Sequence, residues 1–195
     1  MDDFNSLVIK SRRLTLRSAK SENAVELYRI IADSREHLEK WLPWVDYVRS
    51  VDDERHIVDQ WLYEMQMRTA IHLCINFENQ IVGLVSTHQI DWMNQRTSIG
   101  YWTKSDVVNR SICTESTAVL ISYIFDKLRL HRIYIQAAIG NAASNRVIQK
   151  LGFKHEGILR ENERIRDHFL DHNIYGMTEE NYLNMKSTFT QYLPG

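Results

Sequence analysis

Glycine is scarce in this chain, with seven residues among 195, about half of ordinary usage at roughly 7%. None lies between Tyr101 and Ile139, so any phosphate loop in that stretch must work without glycine's conformational freedom. There are two prolines and two cysteines. Cys74 and Cys113 are too few and too far apart for a disulfide framework or a zinc site, which predicts no metal and a reducing, cytoplasmic setting. No apolar run approaches the ~20 residues of a membrane span, and the acidic opening MDDFNSLVIK lacks the basic start of a secretory signal. No membrane partner is therefore expected. An excess of positive charge is also missing. With 24 basic and 25 acidic side chains and a net charge of −1, a broad electrostatic grip on nucleic acid is excluded, and no nucleic-acid partner is expected.

What is present describes a folded enzyme-sized domain. A hydrophobic fraction of 44% with 20 aromatic residues is too apolar for a disordered chain. No linker, repeat or low-complexity tract interrupts it, so residues 1–195 read as a single domain. Leu7–Ile9 and Leu14–Arg17 form an opening strand pair, and Ser21 caps a helix carrying Ala24, Leu27, Tyr28 and Ile31. A short helical turn, Glu36 to Trp44, is ended by Pro43. Asp52, Asp53 and Glu54 place acid in the first turn of a longer helix with Ile57, Trp61, Leu62 and Met65 on one side. Strands are predicted at Ala70–Phe77, Gln80–Ile90 and Arg96–Thr103, the first two joined at Glu78-Asn79. A helix at Thr114–Leu130, a strand at Ile133–Ala138 and a helix at Ala143–Leu151, stopped by Gly152, follow. Strands at Phe153–Glu163 and His168–Met177 close the pattern, with a turn at Arg164–Asp167. The order predicts an α/β (α+β) fold: a mixed sheet with helices on both faces.

Four regions carry possible chemistry. Tyr101 to Glu115, YWTKSDVVNRSICTE, runs from a strand through a polar loop into a helix, whose start offers free N–H groups to a phosphate. Arg110 adds charge there and Thr114 could cap the helix; an ordinary connecting loop is the alternative. Gly140 to Asn145 follows an apolar strand and opens a helix. There Asn141 and Ser144 either point together into a cleft or serve as helix cap and first-turn hydroxyl. His168 and His172 share a strand face but sit roughly 13 Å apart at strand spacing, too far to hold one metal ion. Arg35, Glu36 and His37 beside Trp41 and Trp44 make a rim of mixed chemistry that could hold a peptide or an amine. Of Trp41, Trp44, Tyr47, Trp61 and Tyr63, most are expected in the core, Trp61 above all.

In order and spacing, these segments resemble the GNAT superfamily of acyl-CoA-dependent N-acetyltransferases, in its RimJ/RimL-type branch. The resemblance is carried by SRRLTLR at Ser11–Arg17, REHLEKWLPWV at Arg35–Val45 and IGYW at Ile99–Trp102. It continues in LRLHRIYIQAAIGNAASNRVIQKLGFKHEG at Leu128–Gly157 and DHNIYGM at Asp171–Met177. It implies a mostly antiparallel mixed sheet splayed between its fourth and fifth strands, here Arg96–Thr103 and Ile133–Ala138, with the pantetheine arm of acetyl-CoA in the gap. The resemblance places the CoA pyrophosphate on Val108, Asn109, Arg110, Ser111, Ile112, Cys113 and Thr114, with Asn141 beside the cofactor. It assigns a Tyr101–Trp102 backbone N–H to the thioester carbonyl. By the same match, Ser144 protonates the leaving thiolate and Glu163 draws a proton from the acceptor ammonium, which attacks directly in a ternary complex.

The phosphate loop departs from the family pattern Gln/Arg-x-x-Gly-x-Gly/Ala. Val108, Ser111 and Cys113 stand at its polar and small positions, so a weakened hold on CoA is expected. The leading expectation is acetyl transfer to a protein N-terminus, with a ribosomal protein in view. The alternatives are a GNAT-fold binding protein with lost CoA affinity, and an acetyltransferase for small amines or antibiotics. Family habit and the aromatic rim leave room for a homodimer.

Overall fold

The computed structural model describes residues 2–194, so Met1 and Gly195 of the predicted span lie outside it. Eight strands form one sheet: β1 (Val8–Lys10), β2 (Leu14–Ser18), β3 (Ile71–Phe77), β4 (Gln80–Asp91), β5 (Arg96–Thr103), β6 (Arg132–Ala138), β7 (Lys154–Ile165) and β8 (His168–Thr178). Their spatial order is β1-β2-β3-β4-β5-β6-β8-β7. Every neighbouring pair is antiparallel except β5–β6, which is parallel. The mixed sheet is the one that the order of elements predicts, and its mostly antiparallel pairing is what the family resemblance implies.

Strand alternation assigns each face its helices. Ile99 and Tyr101 of β5, Ile133, Ile135 and Ala137 of β6, and Tyr175 and Met177 of β8 join the larger apolar cluster, with α4 (Ile112–Tyr123) and α5 (Ala142–Lys150). Trp102 turns to the opposite face, into a second cluster with Leu27, Ile30 and Ile31 of α1 (Ala24–Asp33) and Val58 of α3 (Val51–Gln66). Between them, a single turn α2 (Arg35–Leu38) leads to the tryptophans. Two C-terminal helices that the strand-rich ending did not predict, α6 (Glu179–Asn184) and α7 (Lys186–Thr190), bury Tyr182 and Phe189. Gly152 has φ +79°, a left-handed conformation that favours glycine where α5 ends, with the tip of Met185 packed against it.

Several local expectations change. Ser21 does not cap α1; it opens a 3-10 turn and its hydroxyl donates to Asp59 Oδ1 at 3.1 Å. Pro43 begins the 3-10 turn Pro43–Tyr47 instead of ending a helix, a place where its missing N–H costs nothing. The helix expected from Thr114 starts earlier, at Ile112, and widens into a π-type turn at Ile124–Leu128. Tyr47 and Tyr63 are 77% and 61% exposed and do not belong to the core. Glu54 does not face the solvent at the start of α3. It is buried without a hydrogen-bond partner, and burial pushes its carboxyl up to about 8.

β5 and β6 pair only from Arg96↔Arg132 to Ser98↔Tyr134. Beyond that point Ile99–Thr103 and Ile135–Ala138 have no shared ladder, which is the predicted splay. At one side of the opening, Glu115 on the first turn of α4 is buried and holds the β1–β2 connection. It accepts from Ser11 Oγ at 2.7 Å, Arg13 N at 3.0 Å and Arg13 Nε at 2.7 Å. Glu115→Ala is expected to cost about 2–4 kcal/mol in urea unfolding, because three donors lose their acceptor together; a loss below about 1 kcal/mol would place this contact outside the stability of the fold.

The raised Glu54 carboxyl also has a pH signature. Its folded value exceeds the unfolded one, so the folded state binds the extra proton, and stability falls as pH rises from about 4.5 through 8. The expected slope for this group approaches 1.4 kcal/mol per pH unit. Glu54→Gln should flatten it in denaturation series at pH 5 and pH 9, and an unchanged slope would show Glu54 ionised in the fold.

Candidate active site

The gap between β5 and β6 exposes backbone groups that a complete sheet would pair. Along β5 the ladder to β4 is unbroken from Ser98 to Thr103, and Lys104 N–H donates to the Val82 carbonyl at 2.9 Å. By alternation Trp102 and Gly100 also turn their amides to β4, while those of Ile99, Tyr101 and Thr103 face the gap. Of the two N–H groups named for the thioester carbonyl, Tyr101 is the one aimed into the opening. Trp102 packs inward, its ring 5.9 Å from Trp44.

The two walls meet through side chains. Tyr101 hydroxyl lies 3.1 Å from Ser144 Oγ and 3.3 Å from the Ser144 carbonyl, and burial keeps that phenol protonated. Asn141 is the N-cap of α5, its Oδ1 accepting from Ser144 N at 3.1 Å, which realises the capping alternative. Asn145 went unnoticed in the sequence and organises this corner. Its Nδ2 donates to the carbonyls of Ala138 (2.9 Å) and Asn141 (2.8 Å), and its Oδ1 accepts from Asn173 Nδ2 (2.9 Å) and Tyr175 OH (2.8 Å). The only sequence signal was its position one helical turn after Asn141.

The loop leading to α4 keeps the backbone shape that glycine would favour. Asn109 has φ +63° and Ser111 φ +59°, both left-handed. Ser111 occupies the N-cap without a side-chain bond, and Thr114 is buried in the first turn and does not cap. The first intrahelical bond is Glu115 N to the Ser111 carbonyl at 3.0 Å, so the N–H groups of Ile112, Cys113 and Thr114 precede the ladder and are open to an anion. Cys113 does not crowd them. Its sulfur turns inward to Thr103 Oγ1 at 3.7 Å, and burial pushes the thiol up to about 11. Val108 is exposed. Arg110 lies over the Phe77 ring at 4.5 Å and reaches Glu78 Oε1 at 3.3 Å, beside the loop.

Glu163 lies on the other face of the sheet. Register places Glu163 opposite Leu170 and Leu159 opposite His172 on β7–β8, with a bulge at residues 160–162 and Glu161 left-handed at φ +50°. Glu163 is half-buried, and burial raises its carboxyl above the ordinary range. Trp41 lies on Gly140, where a Cβ would be 3.5 Å from its ring. Trp41 and Trp44 therefore reach the ends of both gap strands. Arg35 is committed elsewhere: its two terminal nitrogens donate to the carbonyls of Val45 (2.6 Å) and Val48 (2.5 Å), holding the tryptophan segment in shape. Arg166, at the β7–β8 turn, forms ion pairs with Asp46 at 3.1 Å and Glu39 at 2.9 Å. One surface hollow, of about 520 Å³, is lined by Arg35, Glu39 and Asp46, and His37 lines another. Neither includes Tyr101, Ser144 or Glu163.

Among the described residues, no group of three or more His, Cys, Asp or Glu is placed to hold a metal ion, and no helix is long and apolar enough to cross a membrane. The sequence model of the acetyltransferase (GNAT) domain matches residues 13–154. The chain belongs to the GNAT acetyltransferase family.

The ribosomal-protein-serine acetyltransferase of Escherichia coli (strain K12) is 28% identical over 165 residues, 85% of this chain and 92% of that protein. RimL, the ribosomal L7/L12 alpha-N-protein acetyltransferase solved with coenzyme A, superposes with a TM-score of 0.86 at 25% identity, covering 90% of this chain and 99% of its own. MccE, the microcin C7 self-immunity acetyltransferase solved with acetyl-CoA and AMP, superposes at 0.82 with 28% identity, covering 85% and 92%. This GNAT protein is an acetyl-CoA-dependent N-acetyltransferase.

Ser111→Gly is expected to relieve left-handed strain and raise stability by up to about 1 kcal/mol while keeping CoA affinity within about threefold. Thermal unfolding and calorimetric titration check both; a large gain in affinity would show that the serine side chain obstructs the pyrophosphate.

Proposed function

We propose that this acetyltransferase modifies the N-terminal amine of a protein by direct attack on acetyl-CoA, the whole chain acting as one catalytic unit. The observation that carries the reading is the distribution of groups across the gap. Tyr101 and Ser144 line the α4–α5 face, and Glu163 lies on the opposite one, with the unpaired strand ends between them. The pyrophosphate would rest on Ile112, Cys113 and Thr114 N–H groups, and the thioester carbonyl would accept from Tyr101 N–H as negative charge develops on it.

Glu163 takes one proton from the acceptor ammonium, directly or through a water, which frees the nitrogen lone pair to form the C–N bond. Ser144 gives its hydroxyl proton to sulfur as the C–S bond breaks, and recovers one from the amide nitrogen that is forming. The net proton then sits on Glu163 and leaves to water. No covalent acyl-enzyme is required, since both reactants are held together. The raised Glu163 carboxyl makes it a stronger base when ionised, and activity should climb as pH rises through its value.

The RimL and E. coli relatives support a protein N-terminus as acceptor. The likeness to MccE favours a second reading, with a small-molecule amine in the same place. Turnover of serine-initiated peptides above that of aminoacyl nucleotides or polyamines supports the first, and the reverse order overturns it. With the better acceptor, Ser144→Ala is expected to lower kcat about 10- to 100-fold with little change in KM for acetyl-CoA; unchanged turnover would remove Ser144 from the mechanism.

A further inference from the structure

His172 has no part in the scheme above, yet it stands beside Glu163. It is buried on β8, opposite Ala138 of β6. Asn162 fixes its ring from one side: the amide nitrogen Nδ2 lies 3.1 Å from Gln136 Oε1 and 3.2 Å from His172 Nδ1. An amide nitrogen donates and does not accept. Nδ1 is therefore the acceptor, and the proton of the neutral ring belongs on Nε2. That nitrogen is buried without a hydrogen-bond partner and sits 3.4 Å from Glu163 Oε2, within ion-pair distance but off hydrogen-bond alignment. A buried N–H left without an acceptor is a costly arrangement that a structure retains for a reason.

We propose that His172 is a positioning residue for the general base: a neutral Nε2–H donor, its tautomer set by Asn162, that engages Glu163 when the carboxylate ionises and holds it toward the acceptor ammonium. This inference rests on the reading of Glu163 as the base. The charges around the ring are few. Asp171 is its neighbour on β8, with Oδ1 occupied by the Glu161 N–H at 2.8 Å. β7 contributes Glu163 itself, and the facing β6 residues Gln136 and Ala138 carry no charge. Burial holds His172 below the usual histidine range, so around neutrality the ring is a dipolar donor and not a cation. A donor to the ionised carboxylate opposes the upward push that burial exerts on Glu163. The donor thereby offsets part of that push at a half-buried carboxylate.

Two measurements on the full chain test this without an acceptor. Long-range proton–nitrogen NMR of histidine-labelled protein should place the His172 proton on Nε2, and a proton on Nδ1 overturns the proposal. Carboxyl-carbon NMR should show the Glu163 midpoint rising by about one pH unit in His172→Leu. His172→Gln, which returns an amide N–H near the position of Nε2, should recover most of that rise; an unchanged midpoint in both variants overturns the proposal. Should His172→Leu fail to fold, the tautomer and the glutamine variant still decide. Glu163→Gln separates the two assignments. If its kcat/KM with a serine-initiated peptide keeps the acidic limb, the base assignment fails whatever the NMR shows. If the limb vanishes while the Glu163 midpoint ignores His172, only the positioning role fails.

Discussion

The organising constraint is a hydrogen-bond ladder that stops. β5 and β6 pair over three residues and then part, leaving two strand edges inside a sheet, where a polar backbone group without a partner costs free energy. The fold accommodates this by bracing each edge from outside. Asn145 holds the Ala138 carbonyl and ties α5 to β8, the tryptophan segment lies over the strand ends, and Tyr101 spans to Ser144. What remains unsatisfied faces the opening. An extended chain with amide groups, such as a pantetheine arm, supplies what a missing strand would.

The same parting separates the reacting groups. Because side chains alternate, a slit in a sheet has two mouths, each lined by residues of one parity. Tyr101 looks toward α4 and α5, and His172 and Glu163 look the other way. On the proposed roles, the group that protonates the thiolate and the group that deprotonates the amine stand on opposite sides of one carbonyl. The Arg166 ion pairs with Glu39 and Asp46 join the β7–β8 turn to the tryptophan segment across the acceptor mouth. They are exposed, so their worth is small one by one, and they guide more than they fasten.

Much of this was legible in the amino-acid order. The strands were visible as apolar runs, and the Asn141–Ser144 helix start and the glycine at 152 were local signals of caps and stops. The splay came from family likeness and not from periodicity. What stayed hidden was set by long-range contacts. Nothing near Glu115 announces that Ser11 and Arg13, about a hundred residues earlier, will donate to it. Arg35 reads as a free cation until its carbonyl partners at Val45 and Val48 are seen. The acidic start of α3 likewise conceals that Glu54 turns inward. The α6–α7 ending was missed because its segments are short and its apolar residues, Tyr182 and Phe189, are too sparse for a helical period.

The left-handed residues Asn109 and Ser111 bear on conformational entropy. A glycine-rich loop samples many shapes before its ligand arrives and loses that freedom on binding. This loop carries side chains at both turning points and is already set at φ +63° and +59°. It accepts a strained ground state in the folded protein, and in exchange has little disorder left to lose when a pyrophosphate settles on the helix end. Scarcity of glycine here marks a loop whose turning points are fixed before any ligand arrives.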